Sequence, residues 1–215
     1  MRRGFVIAIV GAESTGKTTL AGELRDALAA EGREVAVVDE YLREFCDRLG
    51  RTPREDEQVH IAFEQTRRIA QAAAAHDIVI ADTTALMIAV YSDTVFADRS
   101  LDADAQEAHR CYDLTLLTAL DLPWVADGHQ RDGEHVREPV DAHVRAALQR
   151  AGLSYSIVAG RGPARLAAAL KAVRHALDIE RPEDEAAANP KWQWVCERCG
   201  DVDCERHLLP RRAPT

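Results

Sequence analysis

Eight residues near the start of the chain, Gly11-Ala12-Glu13-Ser14-Thr15-Gly16-Lys17-Thr18, match the pattern G-x-x-x-x-G-K-[ST] in full. Glycines at that spacing let the backbone curl until successive N–H groups point inward and form a nest for anionic oxygens. The lysine supplies a cation for β- and γ-phosphate oxygens, and the Thr18 hydroxyl is a hard oxygen ligand for the Mg²⁺ that bridges them. Such a set binds and activates a nucleoside triphosphate, here ATP, through Gly11, Glu13, Ser14, Thr15, Gly16, Lys17, Thr18 and Thr19.

A phosphate loop alone does not choose between kinase, GTPase and motor ATPase, so the other polar clusters must decide. Asp82 closes the apolar run Ile78-Val79-Ile80-Ala81. It suits an acid that holds Mg²⁺, directly or through water, or accepts a substrate proton. No Asp-x-x-Gly follows it and no Asn-Lys-x-Asp occurs, which argues against a switch-type GTPase.

Asp39-Glu40-Tyr41-Leu42-Arg43 follows another apolar run and offers carboxylate, aromatic ring and guanidinium for a nucleoside-like acceptor. Glu40 is the first candidate for a base that takes a ribose hydroxyl proton, with Asp39 and Asp82 as alternatives. Tyr41 is expected to stack on a base, and Arg43 to steady phosphate charge. Between residues 123 and 137 lies a polar, glycine-hinged segment containing Trp124, Asp127, Arg131 and Arg137. A segment of this kind closes over phosphates, excludes water and neutralises a moving phosphoryl group, with Arg131 and Arg137 as the candidate cations.

These residues need elements to hold them. Phe5–Val10 reads as a strand covered on both faces and leads straight into the loop. Leu20, Leu24 and Leu28 then repeat at helical spacing until Gly32. Val35–Val38, Ile78–Ala81, Leu114–Leu117 and Ser156–Ala159 read as further strands, with helices over 55–75, 137–151 and 163–177. Repeated strand–helix units predict an α/β fold, a parallel sheet with helices on both faces. The carboxyl edge of such a sheet is where all the polar clusters fall.

The chain of 215 residues has room for one large domain and a small appendage. A kinase domain is expected over 1–178, a charged linker over 179–189 and a small Cys/His-rich tail over 190–215. The tail carries Cys196-x₂-Cys199-x₄-Cys204-x₂-His207, the number and type of ligands for a closed tetrahedral Zn²⁺ site. Trp192 and Trp194 are placed to pack over it. A formal charge of −9 argues against wholesale binding to nucleic acid or to an anionic membrane. With no apolar run near the roughly 20 residues of a spanning helix, and no signal-peptide core after Met1-Arg2-Arg3, a cytoplasmic protein is expected.

Four segments together resemble the ribosylnicotinamide kinase domain of NadR-type proteins over about residues 5–178. They are the loop at 11–18, Glu40-Tyr41-x-Arg43-Glu44, Ile80-Ala81-Asp82-Thr83, and Pro123-Trp124-Val125-Ala126-Asp127-Gly128. The resemblance implies a P-loop fold of the nucleoside- and nucleotide-kinase kind, and transfer of the ATP γ-phosphate to nicotinamide riboside, giving nicotinamide mononucleotide in NAD biosynthesis. Two residues, His129 and Gln130, separate Asp127-Gly128 from Arg131, where the family commonly has one. No His-x-Gly-His motif occurs, so the kinase step alone is implied. Two further readings stand beside this one: a kinase for another nucleoside or nucleotide, and an ATP-sensing regulatory module that signals through the zinc tail.

Overall fold

Six consecutive apolar residues without a polar face can be satisfied only by cover on both sides. In the computed structural model of the protein, which describes residues 3–125 and 133–179, Phe5–Val10 is β1 and every one of its residues is buried. Four more parallel strands flank it, β2 (Val35–Val38), β3 (Ile78–Asp82), β4 (Leu114–Thr118) and β5 (Ser156–Val158), in the order β2-β3-β1-β4-β5. Val6 pairs with Val79 and Ile9 with Asp82 on one side, while Val10 pairs with Leu117 on the other. The chain order therefore reverses at β1, which opens a crevice at the carboxyl ends of β1, β3 and β4.

Seven helices clothe the sheet among the described residues: α1 (Lys17–Ala30), α2 (Tyr41–Leu49), α3 (Gln58–Ala73), α4 (Ala85–Phe96), α5 (Asp102–Arg110), α6 (Arg137–Arg150) and α7 (Pro163–Ile179). On one face, Val6, Val79 and Ala81 pack against Ile69 and Ala73 of α3, and Val10 and Leu117 against α4 and α6. Alternation along the strands puts Ile7, Ile9, Ile78 and Ile80 on the other face, equally buried. There α1 contacts β1, β2 and β3 and buries Leu20, Leu24 and Leu28.

Three helices, α2, α4 and α5, answer to no expectation from the sequence. α4 is apolar all round because α3, α5 and α6 all pack on it, so no 3.6-residue stripe marks it. The helix expected over 55–75 is a short 3₁₀ turn at Glu55–Glu57 followed by α3. The Glu57 carboxylate binds the Arg54 N–H at 2.8 Å and pairs with Arg51, and this fixes the turn. β4 runs one residue beyond its apolar run, to Thr118.

Met1–Ala176 forms one compact unit, whose boundary falls before Leu177. The linker and tail from 180 onward, with Cys196, Cys199, Cys204 and His207, lie outside the described residues, as do residues 126–132 with Asp127 and Arg131. No helix among the described residues is long and apolar enough to cross a membrane.

Candidate active site

The loop between β1 and α1 is shaped by contacts beneath it. Gly11 has φ 147°, and a Cβ there would lie 2.1 Å from Thr118 Oγ1. The chain passes close to β4 only because that side chain is missing. The Thr118 hydroxyl donates to Thr15 Oγ1 at 2.7 Å, which in turn donates to the Ala12 carbonyl at 2.7 Å. Gly16, at φ 74°, precedes α1 and carries no side chain to cap it. The first-turn amides and the positive end of the helix dipole remain for an anion. A cavity of 530 Å³ is lined by Ser14 to Thr19 together with Arg43, Leu122, Pro123 and Val125.

Lys17 bends over this loop, its ammonium donating to the Gly11 and Ala12 carbonyls at 2.9 Å each. Thr18 Oγ1 donates to Asp82 Oδ2 at 2.5 Å and ties the loop to the end of β3. Asp82 is 2% exposed, and its Oδ1 has no hydrogen-bond partner among the described residues. Burial pushes its pKa up, opposed by the Thr18 hydroxyl and the Lys17 charge. A hydroxyl and a buried carboxylate with one oxygen unspent are hard ligands, and they fit Mg²⁺.

At the end of β2, Glu40 occupies the N-cap position of α2 without a side-chain capping bond, and its side chain is 13% exposed. Burial is the largest influence on its carboxyl and raises the pKa; the Lys17 charge lowers it, and Asp82 raises it further. Glu40, Lys17 and Asp82 thus share one electrostatic neighbourhood. Arg43 lies at the cavity wall with its guanidinium 3.5 Å from the Glu40 carboxylate. Asp39 is exposed.

Tyr41 departs from its expected role as a stacking platform. It is 4% exposed, with Arg68 4.4 Å over its ring and Phe45 and His60 edge-on. An aromatic at the first turn of an amphipathic helix is drawn into the core, and this ring has no face left for a base. The residue that organises this edge is Gln65 of α3, fully buried. Its Oε1 accepts the Tyr41 N–H at 2.7 Å, and its amide donates to the Asp39 carbonyl at 3.3 Å and the Thr83 carbonyl at 3.2 Å. One side chain joins the ends of β2 and β3.

On the remaining side, the Ser14 hydroxyl donates to the Val125 carbonyl at 2.5 Å, and Trp124 is half-buried beside it. Arg137 is 4% exposed and donates to the Leu122 carbonyl at 2.9 Å. That bond braces the segment before 126–132, while Arg137 Nε and Nη2 have no hydrogen-bond partner among the described residues. His109, 1% exposed, bridges the Thr84 and Thr115 hydroxyls; burial lowers its pKa to about 4, so it is a neutral spacer behind β3. Gln65, His109, Thr118 and Arg165 carry no motif, and only folding reveals their part. Among the described residues no cluster of three or more His, Cys, Asp or Glu side chains could hold a metal ion.

A five-stranded parallel sheet with a phosphate loop after its central strand defines a P-loop protein of kinase-like fold. The sequence profile of the AAA domain family matches residues 6–165, and the chain belongs to that family. No curated protein matches the sequence. Among solved structures, NadR protein in complex with NR shares the fold at a TM-score of 0.68 and 20% identity, over 83% of this chain and 52% of that one. NadR in complex with NAD and AMP-PNP gives 0.65 at 20% identity, over 83% and 51%. Thymidylate kinase from Ehrlichia chaffeensis gives 0.59 at 13% identity, over 80% and 98%. The chain spans about half the length of the NadR chains that it matches.

Proposed function

We propose that this protein is an ATP-dependent small-molecule kinase that phosphorylates nicotinamide riboside to nicotinamide mononucleotide in the cytoplasm. The observation that carries the reading is the meeting, at one sheet edge, of the loop at 11–18, the Thr18–Asp82 hydrogen bond and the largely buried Glu40 carboxyl. The loop amides and Lys17 hold the β- and γ-phosphates. Thr18 and Asp82 hold Mg²⁺, which, when bound, offsets phosphate charge. Glu40, its pKa raised by burial, takes the proton of the acceptor hydroxyl as that oxygen bonds to the γ-phosphorus and the bond to the β-phosphate oxygen breaks, releasing ADP. Arg43, with Arg131 from the 126–132 segment, balances the charge in flight. Trp124 and Asp127 contribute to the acceptor side.

The choice of acceptor is supported by the four shared sequence segments and by the likeness to the NR-bound NadR fold. Product formation from Mg-ATP across a panel of nucleosides and nucleotides tests it. Nicotinamide mononucleotide should dominate, and a different phosphorylated product would reassign the acceptor. Zinc at Cys196, Cys199, Cys204 and His207 is a separate proposal, read from the metal content of the purified protein.

A further inference from the structure

We propose that Arg165 is a positioning residue for ATP, acting from below the phosphate loop through the Thr15 carbonyl; this rests on the ATP-binding reading above. Arg165 stands in the first turn of α7, its side chain 5% exposed, far in sequence from the loop. Its Nη2 donates to the Thr15 carbonyl at 2.6 Å, and its Nη1 to Asp121 Oδ1 at 2.9 Å and the Gly160 carbonyl at 3.1 Å. Asp121 Oδ2 in turn accepts the Gly160 N–H at 2.5 Å. A guanidinium taken out of water is costly unless such partners hold it, so this one is kept in a single pose.

The geometry gives that pose a consequence. In a planar trans peptide the carbonyl and the following N–H point in opposite directions. With the Thr15 carbonyl drawn down to Arg165, the Gly16 N–H is turned the opposite way, toward the cavity that Thr15 and Gly16 line. Gly16 sits at φ 74° with no Cβ, so its own residue offers little resistance to rotation of the peptide that joins it to Thr15. Thr15 is gripped a second time through its hydroxyl, which leaves the carbonyl as the handle that sets the amide's direction. Arg165 thus preorganises one donor of the anion nest and adds a fixed positive charge behind it.

The test compares the parent chain with Arg165→Met, Arg165→Lys and Asp121→Asn by calorimetric titration of Mg-ATP and, separately, AMP. Thermal unfolding of each unliganded protein is followed in parallel. A hydrogen bond from a charged donor is worth roughly tenfold or more in an equilibrium constant. Arg165→Met should therefore bind Mg-ATP about tenfold more weakly, with AMP affinity changed less than twofold, because AMP lacks the phosphates this amide meets. Arg165→Lys should recover part of the loss, and Asp121→Asn should fall between. Mg-ATP affinity within twofold of the parent in Arg165→Met, or equal losses for ATP and AMP, would overturn the inference. Should Arg165→Met fail to fold, Arg165→Lys and Asp121→Asn decide by the same ATP-to-AMP comparison. Failure of the parent itself to bind Mg-ATP would instead remove the functional reading on which this rests.

Discussion

Replacing Gly11 with alanine puts a methyl group where the fold has none to spare. The new Cβ would lie 2.1 Å from Thr118 Oγ1 and 3.2 Å from the Thr118 carbonyl oxygen, at a φ of 147° that side chains rarely adopt. Two costs combine: overpacking of about 1–3 kcal/mol, and backbone strain of about 1–3 kcal/mol. Only the first can be relieved, because the clash is with a side chain while the strain belongs to the backbone itself. At about 2–4 °C per kcal/mol for a protein of this size, a combined cost of about 2–6 kcal/mol should lower the Gly11→Ala melting temperature by about 4–24 °C. Thr118→Ala alone loses its hydrogen bond to Thr15 and should cost about 1 kcal/mol. In the double variant the two changes should be less harmful than their sum by about 1–2 kcal/mol, read by urea unfolding of all four proteins. A Gly11→Ala protein that melts within 2 °C of the parent, or strictly additive losses, would refute the reasoning that β4 shapes the loop by contact at this point.

Glu40→Gln should reduce phosphoryl transfer by roughly 10²- to 10⁴-fold while leaving Mg-ATP affinity near the parent's. Because burial raises the Glu40 pKa, the fold loses stability as pH rises from the ordinary carboxylate value to the raised one, and the whole loss is present above it. The glutamine variant should therefore melt higher than the parent at pH 7, and the difference should vanish below about pH 4, where the carboxyl is neutral in both folded and unfolded chains. Gln65→Leu strips partners from the Tyr41 N–H and from the Asp39 and Thr83 carbonyls, and should cost about 2–4 kcal/mol in urea unfolding. Asp82→Asn keeps an oxygen for the Thr18 hydroxyl but loses the carboxylate charge. Titrations with and without Mg²⁺ should show metal tightening ATP binding to the parent and having little effect on this variant.

The central strand is legible because burial on both faces leaves nothing but apolar residues in Phe5–Val10, while β2, an edge strand with Val35–Val37 half-buried, is legible from its apolar, β-branched run alone. The phosphate loop was legible for a different reason: its chemistry is local, and eight consecutive residues contain it. α4 was not, since the packing that makes Ala85–Val90 a helix comes from three neighbouring helices and leaves no periodic trace. Tyr41 shows the limit of reading a site residue by type. Its position at a strand end suggests a ligand platform, while Phe45, His60 and Arg68, all from helices, decide that it faces inward. Gln65 and Arg165 were out of reach for the same cause, as each acts on backbone atoms 18 or more residues away that only the sheet topology brings near.

Equilibrium binding of Mg-ATP to the parent protein and to Lys17→Ala bears most directly on the central claim that residues 11–18 hold a nucleoside triphosphate. Saturable binding to the parent at one site, weakened at least tenfold by the substitution, is the predicted result. A parent chain with no affinity for any nucleoside triphosphate in the presence of Mg²⁺, or equal affinity with and without the lysine, would contradict it.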